Sequence, residues 1–94
     1  MNDKAQTILT AALGEAELHG YEKVTRSGVA KRAGVSEGLV NVYFETMEKL
    51  RDRIVQHAVE VENLTVIAQA LGRKHLFVTG MEPGLKIRAL NTLT

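Results

Sequence analysis

Apolar residues recur at three- and four-residue steps along most of the chain, the period of an amphipathic α-helix. From Asp3 to His19 the positions Ala5, Ile8, Leu9, Ala12, Leu13 and Ala16 form one apolar face. Asp3 with Gln6 three residues on resembles a capping box, and Gly20 is a candidate left-handed terminator. Thr25 is the N-cap candidate for a second helix over about Arg26 to Ala33, with Val29, Ala30 and Ala33 as its buried stripe and Gly34 as its end. Ser36 is placed to cap a third short helix, Glu37 to Phe44, in which Leu39, Val40, Tyr43 and Phe44 are available for packing.

The fourth segment reads as the longest, from about Thr46 to Leu71, because Met47, Leu50, Ile54, His57, Val61, Leu64, Ala68 and Leu71 follow alternating steps of three and four. This seam of about three heptads fits packing within a bundle or against the same helix of a second subunit. Val55, Ala58, Val59, Val66 and Ile67 flank it, a wider apolar face than a simple two-stranded coil uses. Gly72 followed by Arg73, Lys74 and His75 reads as a helix end. Leu76 to Thr79 is short and apolar. Pro83 suits the first turn of a last helix carrying Leu85, Ile87, Leu90 and Leu93, which Gly84 weakens at its start. The expected fold is all-α: a three-helix unit, a long helix and a short C-terminal helix.

The chain has 94 residues and no cysteine, which removes disulfides and thiolate metal sites and is consistent with a reducing cytoplasm. No apolar run approaches the length of a membrane span. At this size a core is modest, and burial against a partner subunit is expected to add to it. His19, His57 and His75 fall on separate segments without a nucleophile or carboxylate pattern beside them, so neither an enzyme site nor a metal site is expected, and no cofactor. The net charge is only +1, but Lys23, Arg26, Lys31 and Arg32 fall in one stretch with no acid between them. Such a patch can meet phosphates locally, although on charge alone a solvated helix face is the simpler reading.

Residues Thr25 to Phe44 are the informative stretch. Two short helices crossing at a tight turn need a small residue where their backbones approach, here Ala30, and one tolerant of positive φ at the turn, here Gly34. Val29, Ala33, Val35, Val40 and Tyr43 then fix the second helix of the pair, leaving Ser36, Glu37, Gly38, Leu39, Asn41 and Val42 for outward display, where a recognition helix meets base edges. With Thr25, Val29-Ala30, Ala33-Gly34-Val35-Ser36, Gly38 and Tyr43-Phe44, then Glu48 and Leu50, the chain resembles the DNA-binding domain of the TetR family of bacterial transcriptional regulators over roughly Ile8 to Ile54. Ala11-Ala12, Gly20 and Tyr21 suit the family's first helix and its exit.

The resemblance implies that Thr25 contacts a phosphate, with Ser36, Glu37, Gly38 and Leu39 at or near the groove and Tyr43 at its end. An N-cap role for Thr25 stands beside that reading. Asn41 is the candidate for direct readout, because its amide can pair with adenine N6 and N7; Val42 can touch a thymine methyl or pack locally, and Glu37 can accept from cytosine N4. Gly38 permits close backbone approach or is tolerated slack. Where the family often has a tyrosine, a histidine and a lysine at phosphate-binding positions, this chain has Asn41, Val42 and Met47. Arg26 and Lys31 are the remaining candidates, with Arg32 beside them; Lys49 is two residues from Met47 and points elsewhere.

The expected function is therefore sequence-specific binding of double-stranded DNA by a cytoplasmic transcriptional regulator of bacterial or phage origin. A homodimer would repress by occupying a palindromic operator. Residues 1–54 form the DNA-binding domain in this reading, and residues 55–94 a helical dimerisation segment too short for the family's usual inducer pocket. The alternative is a helical protein-interaction module, such as an antitoxin or anti-repressor, that takes a protein partner through its C-terminal helices.

Overall fold

A computed structural model describes residues 3–72 and 83–91. The described residues form six α-helices and no strand: α1 (Asp3–His19), α2 (Arg26–Ala33), α3 (Glu37–Phe44), α4 (Met47–Glu60), α5 (Leu64–Gly72) and α6 (Pro83–Asn91), with a 3₁₀ turn at Tyr21–Lys23 between α1 and α2. The all-α expectation holds. Leu76 to Thr79, Arg73 to His75 and Leu93 lie outside the described residues.

The termini form as the local chemistry dictates. Thr25 Oγ1 accepts from Gly28 N–H at 3.0 Å, Ser36 Oγ from Leu39 N–H at 3.1 Å, and Thr46 Oγ1 from Lys49 N–H at 3.1 Å, each satisfying a first-turn donor that the helix itself cannot. Gly34 sits at φ 72°, ψ 33° and Gly20 at φ 90°. At Gly34 the left-handed turn lets the chain reverse between α2 and α3 within three residues, a conformation that a side chain would strain. The capping box at Asp3 does not form: Asp3 is the first helical residue of α1 and the Gln6 amide turns to Thr10.

The single long helix expected from Thr46 to Leu71 is two helices. Glu60 ends α4, Glu62 takes a left-handed φ of 55°, and the Asn63 side chain caps α5 by accepting from Val66 N–H at 3.1 Å. The seam fails at this corner, where Val61 is 53% exposed. The chain folds back so that α4 and α5 both pack on α1, which buries Val66, Ile67, Ala68 and Ala70 in place of a continuing stripe. Asparagine is a strong N-cap and tolerates turns, so the break has a local cause. Pro83 does open the last helix, but its Ile87 is 60% exposed, while Ala89 is buried.

One apolar core runs through the molecule. It joins Ile8, Leu9, Ala12 and Ala16 of α1 to Val29, Val40 and Phe44, to Leu50, Ile54 and Val55 of α4, and to Val66 and Ile67 of α5. The central helix α1 buries a broad face made of Ala5, Ile8, Leu9, Ala11, Ala12, Leu13 and Ala16, whose four alanines leave room for its neighbours. Its C-terminal end is closed by Gln69 of α5, whose Nε2 donates to Ala16 O at 3.0 Å while its Oε1 accepts from Tyr21 N–H at 2.9 Å.

Candidate nucleic-acid interface

The α2–turn–α3 pair presents one face of α3 to solvent. Val40 and Phe44 point into the core, which leaves Ser36, Glu37, Gly38, Asn41 and Val42 exposed. Val42 is 72% exposed, a large apolar side chain that nothing among the described residues covers. Leu39 and Tyr43 are divided, each packing against the core with part of its side chain open. A Cβ added at Gly38 would meet only Ser36 Oγ, at an ordinary 3.8 Å, so the fold itself gives no reason for a glycine there.

Thr25 is an N-cap and is exposed. The two roles open to it are compatible, because the cap uses the hydroxyl oxygen as acceptor and leaves its hydrogen to donate. The same holds for Ser36. Arg26 of α2, Asn41 of α3 and Thr46 at the head of α4 border one small cleft, so the structure brings together a cation, an amide and a helix N-terminus that the sequence spreads over twenty positions. Arg26 and Lys31 form no ion pair among the described residues. Five residues on, however, Lys31 stands about 140° around α2 from Arg26, too far round to serve the same phosphate.

Two other cations are already engaged. Arg32 Nε lies 2.8 Å from Glu15 Oε2, and this pair stitches α2 to α1 through space that two glycines provide: a Cβ on Gly14 would fall 2.8 Å from Arg32 Nη1, and one on Gly28 would fall 2.5 Å from Glu15 Oε1. Lys49 lies 2.6 Å from Glu45 Oε2. The hydrogen bond and charge of Lys49 hold the Glu45 carboxyl below its ordinary value. Both pairings escape a sequence reading, although the four-residue spacing of Glu45 and Lys49 is a usable signal. Thr46 could have been found from its N-cap position.

Two short helices joined at a left-handed glycine, with a capped and exposed second helix, define a helix-turn-helix DNA-binding unit. A family model described as bacterial regulatory proteins, tetR family, matches residues 8–54, half of the chain, and the chain belongs to that family. It is accordingly a DNA-binding transcriptional regulator of a non-enzymatic class. Neither a curated protein nor a solved structure gives a significant match. Among the described residues no helix is long and apolar enough to cross a membrane, and no three His, Cys, Asp or Glu side chains gather as metal ligands.

Proposed function

We propose that the chain is a repressor in the cytoplasm that binds a palindromic operator as a homodimer, reading bases with the exposed face of α3 and gripping the backbone with Thr25 and Arg26. The observation that carries this reading is the face itself: Gly38, Asn41 and Val42 stand together, uncovered and unexplained by packing. It holds no lysine or arginine, so the bidentate arginine contact to guanine is missing. Asn41 and Val42 suit adenine and a thymine methyl, and each half-site is accordingly rich in A·T pairs, with Glu37 selecting cytosine at one position. Two such faces in a two-fold dimer would read half-sites about 34 Å apart or more. Occupancy alone then excludes polymerase.

Residues 1–54 carry the DNA contacts and residues 55–94 most of the dimer contacts, with Leu18 of α1 beside them. Leu18, Val61 and Ile87 are large, apolar and exposed, and each is next in sequence to a residue of the Glu17–Asn63 or Glu62–Arg88 contact, which gathers them around the α4–α5 corner. The same patch would take a foreign protein in the alternative reading, where binding would survive high salt.

Salt titration of DNA binding tests the assignment. Arg26→Ala should weaken binding to all sequences alike and lower the slope of log K against log salt by about 1. Asn41→Ala should leave that slope unchanged and cost about 1–3 kcal/mol on the selected site alone. Equal effects of both variants on selected and random duplex would refute base reading by α3.

A further inference from the structure

The segment from Gly20 to Thr25 delivers α2 to its place, and side chains of α4 and α5 hold it at both ends. Val24 is 1% exposed and its carbonyl lies outside any helix, so it needs a buried donor. Arg51 Nη2 of α4 supplies one at 3.3 Å. At the other end Gln69 of α5 accepts from Tyr21 N–H at 2.9 Å. Val24 immediately precedes Thr25, whose side chain caps α2, and Arg26, which borders the cleft with Asn41.

We propose that Arg51 and Gln69 are positioning residues for DNA binding: they fix the linker and thereby set where Thr25 and Arg26 stand against the phosphates. The inference rests on the DNA-binding face proposed above. Arg51 is the sharper case. Its Nε is buried with no hydrogen-bond partner, so the guanidinium carries a desolvation cost that an unbranched apolar side chain would avoid. A half-satisfied guanidinium contributes little net stability; what it does contribute is a directed hydrogen bond to one carbonyl. Gln69 lies beyond the matched family segment. Through it, α5 bears on the geometry of α2 without approaching DNA, so any partner that shifts α5 also changes DNA affinity.

The test uses the full chain and a labelled duplex enriched on the wild type from a random-sequence library. Arg51→Met and Gln69→Met should each weaken binding about tenfold, a shift within the usual coupling of residues in one network. The thermal midpoint of Arg51→Met should stay close to that of the wild type, because the donor lost to the Val24 carbonyl and the relief of the unpartnered Nε oppose each other, and Arg51→Lys, which keeps a donor for Val24, should recover most of the affinity. In a Thr25→Ala, Arg26→Ala background the effect of Arg51→Met should shrink to less than about twofold, because nothing is left to position. The same loss in both backgrounds, or wild-type affinity in both methionine variants, would overturn the proposal. A wild type that binds no duplex would overturn the DNA-binding face instead, and amide exchange tells the failures apart. Tyr21 and Gly28 amides should exchange faster in both methionine variants; exchange at the wild-type rate would overturn the clamp whatever the outcome with DNA.

Discussion

Replacing Gly38 by alanine is expected to stabilise the fold and to weaken DNA binding. The two signs come from the two sides of one residue. Toward the chain, a Cβ at position 38 meets only Ser36 Oγ at 3.8 Å, and alanine in a helix is favoured over glycine by up to about 1 kcal/mol. Toward the solvent, α3 offers its backbone at Gly38 between Glu37 and Asn41, and a methyl group there stands where a base edge or sugar must approach. Spoiling one base contact costs about 1–3 kcal/mol, or roughly five- to 150-fold in affinity. Thermal unfolding and duplex binding of the same preparation read both effects. A variant that gains stability and binds as the wild type does would show that α3 does not meet DNA at Gly38.

Ile67→Asp is expected to abolish cooperative folding at 25 °C. Ile67 is 0% exposed and packs in α5 against the core shared with α1 and α4. Truncating a buried isoleucine to alanine alone costs about 2–5 kcal/mol, and a buried carboxylate without a partner adds several more. The whole stability of a small domain is about 5–15 kcal/mol. Thr65→Asp is the control: two residues away, exposed and in the first turn of α5, it places a negative charge at the positive end of the helix and should leave the melt unchanged or slightly higher. A cooperative melt in Ile67→Asp would mean that α5 is not part of the core that supports the DNA-binding unit.

The helix-turn-helix was legible because its determinants are local. Thr25, Ser36 and Gly34 act within three or four residues of themselves, and the buried positions Val29, Ala30, Val40 and Phe44 follow helical spacing. The corner at Glu62 and Asn63 was hidden by the same periodicity that revealed the helices. Apolar positions stay in step from Ile54 through Val61 to Leu64, so a pattern of threes and fours runs across a turn that Asn63 creates by capping. The partners of the long polar side chains were hidden for another reason. Arg32 meets Glu15 seventeen residues away, Arg51 meets the Val24 carbonyl and Gln69 meets Tyr21, and only the packing of α1, α2, α4 and α5 brings these partners together. Periodicity marks which face of a helix is buried; it does not name the neighbour.

Enrichment of random-sequence duplex on the wild-type chain, read at two salt concentrations, tests the central claim most directly. The operator reading predicts one enriched site with dyad symmetry and A·T-rich half-sites, bound with a steep loss of affinity as salt rises. A chain whose circular dichroism shows the folded helices but which enriches no sequence at either salt would contradict it.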